Sequence, residues 1–355
     1  MTDRENIIGL FRKTGYERML PHYSMTPDLQ RRFDEYRERT GYTPPPSAFA
    51  YIPTSGVLEP RSDEFWKQFY DAPIREGTEF DIYGVAYEPG SADCLHMRHM
   101  RHPLEQMTEL EELRAYPFPK FNPEPTKQQL EAVAQIHAEG RFALGGMACT
   151  LWESAWYTRG MEPLMMDMIA EPELANFILD VFADNAVANA VSNARAGADG
   201  ILLGDDIGMQ HTIMMSEELF RTYLKPRLAR VISAAKAVKP DLIFIFHSCG
   251  YIVPFIRDLI EAGVDVLNPV QPECMDFEQL IAEFGDEISF CGTLGTQTLM
   301  PFGTPEEVRA KVKENLDRMG PRGGLLACPT HILEPEVPVE NVIAYLEACR
   351  EYQVR

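Results

Sequence analysis

A regular alternation of apolar runs and amphipathic stretches begins near residue 140 and continues to the end of the chain. The apolar runs resemble buried strands in length, and they span residues 142–147, 200–204, 242–246, 264–270, 288–292 and 324–328. The amphipathic stretches have helical periodicity, and they span residues 171–196, 217–237, 252–262, 277–284, 305–319 and 339–352. Strand–helix alternation of this kind predicts a parallel sheet covered by helices.

The first 140 residues supply two further strand candidates, 16–24 and 48–53, which bring the total to eight. Because eight βα units close into a barrel, we expect an α/β protein with a (β/α)8 (TIM) barrel. The whole chain, 1–355, is expected to be one domain. Residues 56–125 are rich in Pro, Gly, aromatic and charged residues, and they predict irregular excursions over the barrel mouth with a hairpin near 80–87.

The charge and the cysteine content of the chain restrict its possible partners and its cellular setting. The chain of 355 residues has a formal net charge of −21, which repels phosphate backbones and argues against nucleic-acid partners. Its seven cysteines are an odd number, so we expect a reducing, cytoplasmic setting rather than a disulfide framework. The N-terminus is polar, and no apolar run appears long enough to cross a bilayer, so no membrane partner is expected.

Three residues at predicted strand ends could bind one metal ion. His247 and Cys249 are two positions apart on an extended segment and therefore face the same side, and Cys328 ends the last predicted strand. One imidazole and two thiolates suit Zn²⁺ and leave a fourth position open for chemistry. The alternative is that both cysteines are small buried hydrophobic residues, and Cys274 and Cys291 are rival ligands.

Other polar residues follow the predicted strands. The candidate catalytic groups are Glu153, Asp206 and His331, which could donate a proton or hold substrate. The structural alternatives are a helix N-terminal charge for Glu153, a loop cap for Asp205 and Asp206, and an exposed loop position for His331. Two further groups have both a functional and a structural interpretation. Trp152, Trp156 and Tyr157 could line an aromatic pocket or pack in the core. Residues 96–102 could form a binding patch or a solvated loop.

Several motifs resemble the uroporphyrinogen decarboxylase superfamily. They are His247-Ser-Cys-Gly-Tyr-Ile, Gly-Asp205-Asp206-Ile-Gly-Met-Gln210, the segment through Asn268-Pro-Val-Gln271, and Val-Pro-Val-Glu340-Asn341-Val-Ile. The resemblance extends from about residue 140 to the end and implies a (β/α)8 barrel and an isologous homodimer. It also implies that Asn268, Gln271 and Gln210 contact the cofactor.

The superfamily contains decarboxylases and cobamide-dependent methyltransferases. The methyltransferase branch has a His-x-Cys…Cys zinc site, which corresponds here to His247, Cys249 and Cys328. The Arg-rich signature of the decarboxylases is missing, and residues 145–160 are similar to the O-demethylase group. The resemblance therefore implies a zinc-dependent enzyme that moves a methyl group from a small methoxylated substrate to the cobalt of a corrinoid protein.

Three alternatives remain open from sequence. The enzyme could take methyl from methylcobalamin to a thiol or a folate. It could be a metal-free decarboxylase of the uroporphyrinogen type. It could also be a non-catalytic member that binds a corrinoid partner or a small ligand.

Overall fold

A computed structural model describes residues 1–90, 98–147 and 149–354. The strands within these ranges are β1 (Phe49–Tyr51), β2 (Glu79–Phe80), β3 (Ala86–Glu88), β4 (His99–Arg101), β5 (Phe142–Met147), β6 (Gly200–Gly204), β7 (Ile243–His247), β8 (Val266–Val270), β9 (Ser289–Leu294) and β10 (Leu325–Pro329). Seven of them, β1 and β5 to β10, form one parallel sheet in chain order. The curled parallel sheet with helices between its strands confirms the predicted α/β barrel class.

The helices within the same ranges begin and end as follows: α1 (Asp3–Arg12), α2 (Pro27–Thr40), α3 (Asp63–Trp66), α4 (Leu110–Ala115), α5 (Lys127–Ala138), α6 (Trp152–Arg159), α7 (Met161–Ala170), α8 (Pro172–Ala196), α9 (Glu217–Leu219), α10 (Lys225–Val238), α11 (Ile256–Ala262), α12 (Phe277–Phe284), α13 (Leu299–Phe302), α14 (Pro305–Met319) and α15 (Val339–Glu351). A π-helical turn, Phe220–Leu224, joins α9 to α10. Short 3-10 turns occupy Lys67–Phe69 and Val253–Phe255.

The prediction of a strand over residues 16–24 is wrong. This segment lies between the first and last strands of the sheet, where Pro21 O accepts a hydrogen bond from Ala48 N at 2.7 Å. Just beyond it, Met25 makes a single parallel bridge with Leu333. Proline has no N–H to donate to a ladder, so the segment makes isolated contacts and adds no eighth strand to the described sheet.

The irregular region before residue 125 contains a small antiparallel sheet. Its strand order is β2-β3-β4, and Phe80 pairs with Ala86, which confirms the predicted hairpin. Residues 91–97 lie outside the described residues; they include Cys94 and also His96, which begins the segment 96–102 considered above as a binding patch or a solvated loop. Within the rest of the segment 96–102, His99–Arg101 form the strand β4 and therefore belong to this sheet.

Arg159 anchors the irregular region to the barrel. Its guanidinium is buried, pairs with Asp167 at 2.8 Å, and donates hydrogen bonds to the carbonyl oxygens of Leu104 and Met107. A buried guanidinium needs this number of acceptors to offset its lost hydration. The loop before α4 is therefore fixed to the C-terminal end of α6.

Among the described helices, α8 is long and apolar enough to cross a membrane, if only length and composition are considered. Of its most apolar stretch, 56% is buried within the protein. Its buried face includes Ile178, Leu179 and Phe182. Packing against neighbouring elements of the fold accounts for its apolar composition.

Candidate metal centre and adjoining cavity

Two adjacent strand ends form the centre of the candidate site. The last residues of β6 and β7, Gly204 and His247, are partners in the parallel register. Asp206 follows β6 by two residues, and Cys249 follows β7 by two residues. Because the C-terminal ends of parallel strands meet at one edge of a barrel, the three functional side chains lie together there.

Asp206, His247 and Cys249 form a compact group of potential metal ligands. One ligand atom from each residue lies within 4.8 Å of the other two. Nε2 of His247 is 3.6 Å from Sγ of Cys249 and 3.8 Å from Oδ1 of Asp206. The side chains of His247 and Asp206 are 29% and 40% exposed, so a ligand from solvent can reach them.

Asn268 orients the imidazole of His247. Its Oδ1 lies 2.7 Å from Nδ1 of His247, and its Nδ2 donates a hydrogen bond to Cys291 O at 3.4 Å. An amide oxygen only accepts, so Nδ1 carries the hydrogen and Nε2 keeps its lone pair. That lone pair is directed toward Cys249 and Asp206, which is the arrangement found behind metal-binding histidines.

The thiol of Cys249 is in an environment that disfavours its anion. Burial, together with the negative charges of Asp206 and Glu153, raises its pKa to about 12. The backbone N–H of Cys249 donates to Oδ1 of Asp206 at 2.7 Å, which holds the two residues together. A divalent cation would supply the positive charge that a thiolate needs here.

Asp205 fixes the start of α6. Its buried carboxylate accepts hydrogen bonds from the backbone N–H groups of Leu151 and Glu153, at 3.0 and 2.9 Å. A carboxylate at a helix N-terminus satisfies free N–H groups and favours the helix dipole. Asp205 is therefore not a solvated cap of its own loop: it is buried, and it holds the start of α6 and with it Glu153.

Glu153 connects the metal-ligand group to a neighbouring tyrosine. Its Oε2 accepts a hydrogen bond from Asp206 N at 3.2 Å, and its Oε1 accepts one from the hydroxyl of Tyr157 at 2.8 Å. Burial and the charge of Asp206 raise the pKa of Glu153. This carboxyl therefore holds a proton more readily than an exposed glutamate does.

A cavity of about 540 Å³ adjoins Tyr157. Six aromatic side chains line it, namely Tyr51, Tyr83, Tyr87, Phe121, Tyr157 and Phe182. Asp81 and Gly146 also line it. The size and the aromatic wall suit a single aromatic ring with small substituents. Of the predicted aromatic pocket, Tyr157 reaches this cavity, whereas Trp152 is fully buried in the core.

The structure does not bring Cys328 into the group of ligands. Cys328 is fully buried, and its Sγ lies 3.6 Å from Sγ of Cys291. Asp206, which the sequence predicted as a catalytic residue, is the third member among the described residues. His331 is close by, with its ring centroid 6.5 Å from that of His247, and burial lowers its pKa.

The two glutamines expected to contact the cofactor have different environments. Gln271 is buried, and its Oε1 accepts a hydrogen bond from Gly250 N at 2.9 Å, which fixes the turn after Cys249. Gln210 is exposed and exchanges hydrogen bonds with Gln297 at 3.1 Å. Gln271 therefore supports the loop, whereas Gln210 is accessible at the surface.

Comparison with known proteins identifies the family. Residues 84–352, most of the chain, match the family model described as Uroporphyrinogen decarboxylase (URO-D). The chain belongs to this family. The membership expected from the sequence motifs is thereby confirmed.

Relatives in the family carry different activities in their names. A methylcobamide:CoM methyltransferase (MtaA) of Methanosarcina barkeri is 27% identical over 186 residues, which are 52% of this chain and 51% of the relative. A methylated-thiol–coenzyme M methyltransferase of Methanosarcina mazei is 28% identical over 204 residues, 56% and 50% of the two chains. A uroporphyrinogen decarboxylase of Chlorobium limicola is 25% identical over 193 residues, 53% and 52%. The chain thus spans about half the length of these relatives.

A solved structure shares the whole fold. It is described as a methyltransferase from Methanosarcina mazei, with a TM-score of 0.63 and 18% sequence identity. The match covers 99% of this chain and 99% of that structure. At this identity the likeness concerns the fold, which agrees with the barrel described above.

Proposed function

We propose that the protein is a methyltransferase that moves a methyl group from a methoxylated aromatic compound to the cobalt of a corrinoid protein. The observation that carries the proposal is the group of Asp206, His247 and Cys249 beside an aromatic-lined cavity. The methyltransferase relatives from Methanosarcina support the reaction class. The aromatic walls of the cavity support an aromatic donor rather than a small aliphatic one.

The donor set fits zinc. An imidazole with a free Nε2, a thiol and a carboxylate provide three ligands of the types that Zn²⁺ accepts, with one position left for substrate. We therefore propose His247, Cys249 and Asp206 as the ligands; Cys328 would first have to leave its contact with Cys291. When bound, zinc supplies Lewis acidity to the ether oxygen or an adjacent phenol oxygen.

The leaving oxygen needs a proton. When the methyl carbon bonds to cobalt(I) of the corrinoid, the C–O bond breaks and its electron pair stays on the aryl oxygen. Glu153 is the proposed proton donor, because burial and the charge of Asp206 raise its pKa and it accepts a hydrogen bond from Asp206 N in the metal-ligand group. The hydroxyl of Tyr157 lies between Glu153 and the cavity, so it is the proposed relay to the oxygen of a bound ring.

A second candidate reaction has support from the names of relatives. Both Methanosarcina relatives are named as coenzyme M methyltransferases, which methylate a thiol. The same three ligands would hold zinc that binds an acceptor thiol and lowers its pKa. The aromatic cavity favours the first candidate, because a short aliphatic thiol has no use for six aromatic contacts.

The decarboxylase alternative has less support. A porphyrinogen substrate has several carboxylates, which require cationic partners on the protein. Among the described residues that line the cavity there is no Lys, Arg or His. The charge of the site therefore argues against a polyacidic substrate.

The test is a methyl-transfer assay with a free corrinoid. The purified protein is incubated anaerobically with cob(I)alamin and a panel of methoxyphenols, and methylcobalamin is followed by its absorbance. The wild type and Cys274→Ala should produce methylcobalamin, whereas Cys249→Ala should lose at least about 100-fold in rate. If no methoxyphenol reacts and a thiol instead removes methyl from methylcobalamin, the second candidate replaces the first.

A further inference from the structure

We infer that the cavity selects uncharged aromatic methyl ethers and excludes aromatic carboxylates. The inference rests on the proposed function and specifies its substrate class. Methoxyphenols that have no carboxylate are the expected donors. Methoxybenzoates of the same size are expected to be poor donors.

The charge of the cavity wall carries this inference. Asp81 contributes a carboxylate to the lining, and within the described ranges no cationic side chain contributes to it. The hydroxyls of Tyr87, Ser154 and Tyr157 in the lining already donate hydrogen bonds to protein acceptors, so they do not replace a cation as partners of a bound carboxylate. Moving a carboxylate from water into a buried site without a cation is unfavourable. Burial raises the pKa of Asp81 to about 6, so near neutral pH most of this carboxyl is ionised and repels an anionic ring.

The position of Asp81 is fixed by the hairpin. Its Oδ1 accepts hydrogen bonds from the backbone N–H groups of Tyr83 and Val85, at 2.8 and 2.9 Å. Oδ2 is 3.4 Å from the hydroxyl of Tyr87, which also lines the cavity. The carboxylate therefore cannot turn away when a ligand enters, since its backbone contacts hold the turn between β2 and β3.

The cavity has open space beside Gly146 on β5. A Cβ added at Gly146 would meet no atom within 4 Å, so this part of the wall faces empty volume. At the neighbouring Gly145 an added Cβ would come within 2.7 Å of the Asn193 side chain. Tyr157 belongs to the same wall and bonds to Glu153, so a ring that fills the cavity lies against the proposed proton relay.

The experiment compares two probes that differ in charge and hardly in size. Vanillyl alcohol has an uncharged hydroxymethyl group where vanillate has a carboxylate. Binding of each to the full-length protein is measured by isothermal titration calorimetry near neutral pH, without any corrinoid. We expect the alcohol to bind at least about tenfold more tightly than vanillate. Equal or tighter binding of vanillate would overturn the inference.

Two variants test whether the cavity is responsible. Asp81→Asn keeps an oxygen for the two backbone donors and removes the charge; it should strengthen vanillate binding by about tenfold and leave the alcohol unchanged. Gly146→Val should weaken the binding of vanillyl alcohol by about tenfold. It should not lower the midpoint of thermal unfolding, because the valine side chain fills open space. If Gly146→Val leaves binding unchanged, the ring binds elsewhere and the inference is wrong.

The outcomes separate this inference from the proposed function. If vanillate is demethylated in the presence of cob(I)alamin and the alcohol is not, the methyltransferase proposal stands and the charge selection fails. If the alcohol binds in the cavity and neither compound gives methylcobalamin, the methyl-transfer proposal fails, and the cavity retains its preference for uncharged rings.

Discussion

Oδ1 of Asn268 lies 2.7 Å from Nδ1 of His247, where the last residue of β7 is paired with the middle residue of β8. This contact decides which nitrogen of the imidazole is free. It explains why an amide, rather than a carboxylate, occupies the position behind the ring: the amide also reaches Cys291 O on the next strand. The orientation of the candidate ligand is therefore set by three neighbouring strands.

Removing the amide should weaken metal binding. Asn268→Ala leaves Nδ1 of His247 without its acceptor, and we expect zinc affinity to fall by about 10- to 100-fold. Competition with a chromogenic chelator measures the affinity. Asn268→Asp restores an acceptor for Nδ1 and should recover most of the zinc affinity. Unchanged affinity in Asn268→Ala would mean that the imidazole is oriented by other contacts.

The hydroxyl of Tyr157 should matter for turnover more than for binding. Tyr157→Phe removes the hydrogen bond to Glu153 and keeps the aromatic wall of the cavity. We expect kcat to fall by about 10² with little change in KM, because a general-acid relay is lost. The pH profile of kcat should change as well. A rise in KM alone would assign Tyr157 to substrate packing.

The buried ion pair of Arg159 and Asp167 should be important for stability. Arg159→Met leaves the Asp167 carboxylate buried without its partner, and we expect a loss of about 3–5 kcal/mol in the free energy of unfolding. The control is Arg31→Met, which breaks an exposed pair with Glu35 and should cost less than about 1 kcal/mol. Urea denaturation measures both. Equal effects would show that burial does not strengthen the pair.

Acid should destabilise the protein through His22. Burial lowers its pKa to about 4, and among the described residues no group pairs with its Nδ1. The unfolded chain takes up this proton near its ordinary pKa of about 6.5, whereas the folded chain resists until about pH 4. Stability is thus fully present above pH 6.5 and is lost as the pH falls toward 4. In His22→Phe the free energy of unfolding should depend less steeply on pH over that window.

Sequence patterns located the strands that have an unbroken apolar run. The bounds of β5 and β6 agree with the predicted 142–147 and 200–204, because strands buried on both faces are apolar throughout. The segment 16–24 lacks such a run, because Glu17, Arg18 and His22 interrupt its apolar residues, and Pro21 has no N–H for a ladder. The bridge between Met25 and Leu333 joins positions that are far apart in the chain, and a local pattern does not encode such a contact.

The candidate site was predictable only in part. His247 and Cys249 are two residues apart on one strand end, so alternation alone predicted their proximity. The third ligand comes from a different strand, and its direction depends on how the loop after β6 turns. Asp205, buried beneath α6, leaves Asp206 to face the imidazole. Of the cavity wall, the sequence indicated only Tyr157, because the wall combines residues from six separate parts of the chain.

The most direct test of the metal centre is elemental analysis of protein purified anaerobically without chelators. We expect about one zinc per chain in the wild type and in Cys328→Ala, and loss of zinc in Cys249→Ala and in His247→Ala. Loss of zinc in Cys328→Ala would show that Cys328, rather than Asp206, is the third ligand. A wild-type protein that neither contains nor takes up zinc would contradict the central claim.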